Sequence, residues 1–362
     1  MKIEKVEYFK RSNPLKKPFK TALRTAYTAD EIIFKVISEN GEIGFGAAPP
    51  TAVITGDTLH SIQWNAEEFI IPRLIGQDIT HIESLLHTVN TTLVNNTSVK
   101  AAIDMALYDL WAKKHHAPLY HLLGGTRNKI ETDITISVNS PEEMADDAAA
   151  ALNEGIHILK IKVGNDAKLD FERVKTVRER VGNDIKIRLD ANQGWERKEA
   201  VKTIRQMEDA GLQIELVEQP VKAHDLEGMK FITDRVDTPI LADESVFSPR
   251  DALKILEMRA ADLINIKLMK CGGISEALKI NAIAETHGVE CMIGCMLEGP
   301  IGITAAAHLA AAKRNITRVD LDAPLLLAET NVVGGAQFKG SDIVLGPEYG
   351  LGITEIIDNP YI

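Results

Sequence analysis

Residues 157–190 read HILKIKVGNDAKLDFERVKTVRERVGNDIKIRLD. A short apolar run, an amphipathic segment and a second short apolar run follow one another, which is the signature of a strand, a helix and a parallel strand. Within HILKIKVG, Lys160 and Lys162 are two residues apart and share one face of the strand, while Leu159, Ile161 and Val163 share the other. The same alternation in IKIRLD turns Asp190 to the face that carries the lysines.

The unit repeats in both directions. Strand ends are expected near Thr135, Lys162, Asp190, Glu218, Asp243, Lys267, Ile293 and Asp320, roughly 24–28 residues apart, with helices such as 170–181, 198–210 and 275–287 between them. Eight such ends suit a closed TIM-type barrel. A doubly wound open sheet fits less well, because GFGAAP (residues 44–49) has neither the spacing of a phosphate loop nor a following helix. Ahead of the barrel, alternation at residues 3–9 and 32–37 predicts strands, and the Gly- and Pro-rich run 44–50 a turn. Ala102, Met105, Ala106 and Leu110 then mark one face of a helix that stops before Gly124 and Gly125. The Gly-rich tail from Ala323 is expected to return to this first part.

Composition narrows the function. The chain has 362 residues, 45% hydrophobic and 26% charged, with a net charge of −11. That balance is ordinary for a globular protein and argues against a nucleic-acid partner, which calls for a basic face. No apolar run reaches membrane-spanning length and the first residues do not read as a signal peptide. Cys271, Cys291 and Cys295 are too few and too irregular for a disulfide framework, so a cytoplasmic location is expected. His115 and His116 are expected at a helix end.

In a parallel barrel the chemistry lies at the carboxyl ends of the strands. Here those ends bring Asp190, Glu218 and Asp243 inward from three consecutive strands, flanked by Lys160 and Lys162 on one side and Lys267, with Asn265 beneath it, on the other. Three buried carboxylates repel one another unless a cation joins them. An all-oxygen set favours Mg²⁺, with Mn²⁺ as the alternative. A cation on a substrate carboxylate, assisted by Lys160, would stabilise the enediolate left when the neighbouring carbon loses its proton. Lys162 and Lys267, their pKa values lowered by nearby cations, would serve the two faces of that carbon as base and acid.

These residues resemble the enolase superfamily, and most closely its muconate-lactonizing-enzyme subgroup: KIKVG, LDANQGW, VEQPV, ADESV and NIKLMKCGG stand in order over nearly the whole chain. The resemblance implies an α/β fold, a modified TIM barrel (β/α)7β over residues 126–324. An α+β capping domain would be formed by residues 1–125 and completed by about 325–362. It implies one Mg²⁺ per subunit on Asp190, Glu218 and Asp243, an acid/base pair in Lys162 and Lys267, and a homo-oligomer. RVDLDAP puts Asp320 and Asp322 where dipeptide epimerases of the subgroup hold a substrate α-ammonium. KPFKTALRTAYT resembles a mobile loop in which the counterpart of Arg24 meets a glutamate side chain. Residues 53–57 would form a second specificity loop, and Thr135 would contact substrate; apart from the resemblance, Cys271 and Cys291 are expected as small buried fillers and Cys295 at the floor of the substrate pocket. Gly46-Ala47-Ala48 stands where many relatives carry Gly-Glu-Ala, so one polar contact of the cap is expected to be absent. GCMLEGPIG (residues 294–302) matches no single substrate class. The implied reaction is an isomerisation, epimerisation of a small dipeptide such as L-Ala-D-Glu. A dipeptide epimerase of hydrophobic or cationic specificity is the first alternative, and a cycloisomerase or an o-succinylbenzoate synthase-type lyase the second.

Overall fold

A computed structural model describes residues 1–21 and 25–357. The chain begins with an antiparallel meander of β1 (Ile3–Lys20), β2 (Thr25–Ser38) and β3 (Ile43–Ala48). The first two strands run further than their apolar alternation suggests, because each supplies the other's hydrogen bonds, with a register break between Pro14 and Phe19 and pairing resumed beyond it. The run 44–50 is a strand as far as Ala48 rather than a turn. Its glycines serve packing: a Cβ on Gly44 would lie 2.1 Å from Ala106 O and one on Gly46 1.8 Å from Ala102 O. Bare backbone therefore lets helix Thr97–Lys114 lie directly on β3. That helix is buried on nearly every side, which explains the weak amphipathicity of its sequence. His115 caps its end.

After β4 (Lys129–Glu131) come the barrel strands β5 (Ile134–Ile136), β6 (Ile158–Lys162), β7 (Lys186–Asp190), β8 (Ile214–Glu218), β9 (Ile240–Ala242), β10 (Leu263–Ile266), β11 (Cys291–Gly294) and β12 (Ile316–Asp320). Each pairs in parallel with the next, in sequence order. Helices cover the outside between successive strands up to β12, as in the (β/α)7β pattern. The seam between β5 and β12 is joined by single bonds: Leu321 N–H donates to Thr132 Oγ1 at 2.8 Å, and Thr135 N–H to Asp322 Oδ2 at 2.6 Å. Inside the barrel, Leu216, Leu241, Leu263 and Met292 form a separate apolar layer. Leu216 precedes Glu218 by two residues and Leu263 precedes Asn265 by two, so the strand alternation that fills this layer also aims the polar residues above it.

The last strands are β13 (Val332–Gly334), β14 (Gln337–Lys339), β15 (Asp342–Val344) and β16 (Ile353–Ile356). β13 pairs with β16, and β15 with both β14 and β4. The N–H of Leu351 donates to Asp109 Oδ1 in the long helix at 2.7 Å. Among the described residues, no helix is long and apolar enough to cross a membrane.

Candidate active site

The inward side chains at the carboxyl ends of β6 to β8 are Lys160, Lys162, Asp190 and Glu218, all buried. Asp243 and Lys267 fall one residue beyond β9 and β10 but reach the same place. The Lys160 ammonium sits among three carboxylates, 2.6 Å from Glu218 Oε2, 2.6 Å from Asp320 Oδ2 and 3.1 Å from Asp190 Oδ2. Lys162 Nζ lies 2.6 Å from Asp190 Oδ2, and Lys267 Nζ 2.7 Å from Asp243 Oδ2. Asn265 Nδ2 donates to Glu218 Oε1 at 2.6 Å.

The strand order gives the two outer lysines opposed positions. Between β6 and β10 lie three strands in either direction around the barrel, so Lys162 and Lys267 face the cleft from opposite walls.

Burial would lower the pKa of Lys160, but Asp320, Glu218, Asp190 and Asp133 together carry it well above the ordinary value. Lys267 is raised as well, against the same desolvation, chiefly by Asp243 and Glu218. The expectation of a lowered pKa is therefore not met at Lys267 by these side chains alone, because the carboxyl groups outnumber the ammonium groups. Asp190, Glu218, Asp243, Glu244, Asp320 and Asp322 are buried together with Lys160, Lys162, Lys267 and Lys270 at this end of the barrel. The surplus shows in the acids. Burial and then Asp190 push Glu218 up to about 7, burial and then Asp243 push Glu244 up to about 8, and burial and then Asp320 push Asp322 up to about 6.

A surplus of two buried carboxyl groups over ammonium groups suits a divalent cation, beside which both could ionise. Glu218 Oε2 and Asp243 Oδ1 each lie 2.6 Å from an ammonium yet, among the described residues, have no hydrogen bond of good geometry. As they stand, no three carboxylate, thiol or imidazole side chains among the described residues enclose a cation, since the lysine ammoniums take the inward oxygens. The donor set of Asp190, Glu218 and Asp243 still suits Mg²⁺, which prefers oxygen ligands.

Around these groups lies a cleft into which Thr135, Cys295, Asp320 and Asp322 also open. Phe19, Val53, Ile54, Met296, Leu297 and Leu326 give it an apolar wall shared between the N-terminal part and the barrel. Of residues 53–57, Val53 and Ile54 reach the cleft, whereas Asp57 is buried and accepts the Ser98 N–H at 3.2 Å. Arg24 lies outside the described residues. Cys271 and Cys291 are buried away from the cleft.

Two participants escape the sequence reading. Lys270 is fully buried with its ammonium 2.6 Å from Asp243 Oδ1, and it donates to the carbonyl oxygens of Asp243 and Asn265. Its place three residues after Lys267, on one helical turn, is the sequence sign of it. Glu244 follows Asp243 and would point outward in a continuing strand, but β9 has ended and its carboxyl joins the cleft, with Asn192 Nδ2 donating to it at 3.3 Å.

Residues 3–124 match the mandelate racemase / muconate lactonizing enzyme N-terminal domain, and residues 143–356 the enolase C-terminal domain-like family. The chain is 55% identical over 345 residues to an L-Ala-D/L-Glu epimerase of Clostridium acetobutylicum, covering 95% of this chain and 96% of that protein. Among solved structures it resembles the substrate-liganded L-Ala-D/L-Glu epimerase from Bacillus subtilis, with a TM-score of 0.98 and 55% identity over 99% of this chain and 100% of the other. It also resembles the dipeptide epimerase from Enterococcus faecalis V583 complexed with Mg and L-Leu-L-Tyr, with a TM-score of 0.95 and 48% identity over 98% and 100% of the two chains.

Proposed function

Because this chain belongs to the mandelate racemase / muconate lactonizing enzyme family of the enolase superfamily and is an isomerase, we propose that it is a dipeptide epimerase inverting the α-carbon of the second residue, foremost in L-Ala-D/L-Glu. The observation that carries this reading is the opposition of Lys162 and Lys267 across one cleft. One lysine removes the α-proton from its own side of the carbon. The other, protonated, returns a proton from the opposite side, so the centre inverts and the enzyme ends with its protons exchanged between the two lysines.

Asp320 and Asp322 would receive the substrate's α-ammonium, for which two carboxylates offer charge and hydrogen-bond acceptors. Lys160, held protonated by its carboxylate neighbours, would face the negative charge that grows on the substrate carboxylate. Asp190, Glu218 and Asp243 would hold Mg²⁺, which when bound supplies positive charge beside that carboxylate. A role in recycling peptides of the bacterial wall fits an Ala-Glu substrate.

The apolar wall favours a second reading, a dipeptide with a hydrophobic second residue. A panel of dipeptides decides between them. The Ala-Glu reading expects kcat/KM for an acidic second residue to exceed that for Leu or Tyr by at least about a hundredfold, and equal turnover would remove it.

A further inference from the structure

The run GCMLEGPIG takes no part in the proton transfer, yet Cys295, Met296 and Leu297 form part of the cleft wall. Two buried carboxyl groups fix these residues. Glu298 turns back on its own loop, and its Oε1 accepts the Met296 N–H at 2.9 Å. Glu31 reaches across from β2, and its Oε2 accepts the Gly299 N–H at 3.0 Å, at the start of helix Pro300–Ala312. Asn13 on β1 steadies Glu31 by donating to Oε1 at 3.4 Å, and Arg11 Nε in turn donates to Asn13 Oδ1 at 3.1 Å.

The fit is tight on both sides. A Cβ on Gly299 would lie 2.1 Å from Glu31 Oε1, and one on Gly302 would lie 2.0 Å from Glu298 Oε2, so a side chain at either position would push the carboxyl group from its present place. Two residues before Glu31 on the same strand, Ala29 packs with Leu297 and Leu327, beside the partly buried Leu15, Phe19 and Leu326. The strand that carries Glu31 thus touches the cleft wall through an apolar contact at Leu297 and holds the backbone two residues further on, at Gly299, through a polar one.

We infer that Glu31, with Glu298 as its partner on the barrel, is a positioning residue that sets the Cys295–Leu297 wall and couples the seating of the N-terminal sheet to substrate affinity. This rests on reading the cleft as the dipeptide site. Burial pushes Glu31 up to about 7, with the Gly299 N–H, Arg11 and Asn13 opposing and Asp30 assisting. Burial pushes Glu298 up to about 8, with the Met296 N–H and Lys267 opposing and Glu31 assisting. Below pH 7 the two carboxyl groups are therefore mostly neutral, and as the pH rises through 7 to 8 both charge and repel each other across the contact.

The test combines amide hydrogen exchange over residues 295–301 with steady-state kinetics on the best dipeptide. Glu31→Ala should speed exchange in that segment and raise KM by about tenfold, with kcat held within about twofold. Glu31→Gln keeps an acceptor for Gly299 and cannot ionise. It should match the wild-type KM at pH 6 and stay flat between pH 6 and 9, where the wild-type KM climbs relative to it. Faster exchange with an unchanged KM, or a Glu31→Gln profile parallel to wild type, would overturn the proposal, and the second comparison stands even if Glu31→Ala fails to fold. Should the wild-type enzyme turn over no dipeptide, the reading of the cleft fails by itself. Exchange in Glu31→Ala then still decides whether Glu31 holds the loop, and unchanged exchange would overturn that.

Discussion

Thr135 and Asp322 meet across the barrel seam: the Thr135 backbone N–H donates to Asp322 Oδ2 at 2.6 Å, where β5 and β12 have no ladder between them. One carboxylate therefore both closes the fold and faces the cleft. The two duties separate by mutation. Asp322→Asn keeps an acceptor and loses the charge, so it should fold normally while KM rises by roughly tenfold or more. Asp322→Ala leaves a buried N–H without a partner and should cost a further ~1–3 kcal/mol of stability by denaturant titration. Equal stability of the two variants would remove the seam role.

Lys270 and Lys267 take one oxygen each of Asp243, but only Lys267 lines the cleft. Lys270→Met would strand a buried carboxylate oxygen and two backbone carbonyls. The expected loss is about 3–5 kcal/mol, seen as a lower Tm, together with a fall in activity of at least about tenfold. Wild-type Tm and activity in that variant would show that Asp243 holds its place without it.

For the metal, Asp190→Asn or Glu218→Gln should lose Mg²⁺ binding and turnover together, since each removes a charge from an oxygen site that depends on it. In the wild type, Mg²⁺ should raise the Tm by mass action and excess EDTA should stop turnover. Calorimetric titration of each variant with Mg²⁺ alone checks the binding arm, and activity persisting in EDTA contradicts the assignment.

Much of this site is legible because strand side chains alternate with a period of two, so Lys160, Lys162, Asp190 and Glu218 can be aimed from the sequence. The rule lapses where a strand ends, which hides Glu244, one residue past Asp243, and Lys270 on the turn after β10. It is silent on contacts between distant parts of the chain: Glu31 and Gly299 are 268 positions apart and share no local pattern. The packing glycines of β3 read as a turn because the sequence does not say which helix will lie on them. The Lys267 pKa is misjudged for a related reason, since Asp243 and Glu218 act on it only once the barrel brings them together.

His308 supplies an acid-sensitive term remote from the lysines. Burial holds its pKa down to about 3, and its Nδ1 accepts the Tyr120 N–H at 3.1 Å, so the imidazole is neutral when folded. The unfolded state binds the proton more readily, so the stabilisation is present above the ordinary histidine pKa near 6.5. It is lost as pH falls from about 6.5 towards 3, by up to about 1.4 kcal/mol per pH unit. His308→Gln should flatten that slope in denaturant titrations between pH 6 and 4. An unchanged slope would assign the acid sensitivity elsewhere.

The central claim is that Lys162 and Lys267 work from opposite faces of one carbon, and proton NMR of each dipeptide diastereomer in D₂O tests it most directly. The wild type should wash deuterium into the α-position of both hands and interconvert them. Lys267→Ala should lose interconversion by at least about 10²-fold, while Lys162 still exchanges the α-proton of one hand without inversion. Lys162→Ala should show the same behaviour with the other hand. Either single variant interconverting the diastereomers at a rate near that of the wild type would contradict the two-base account.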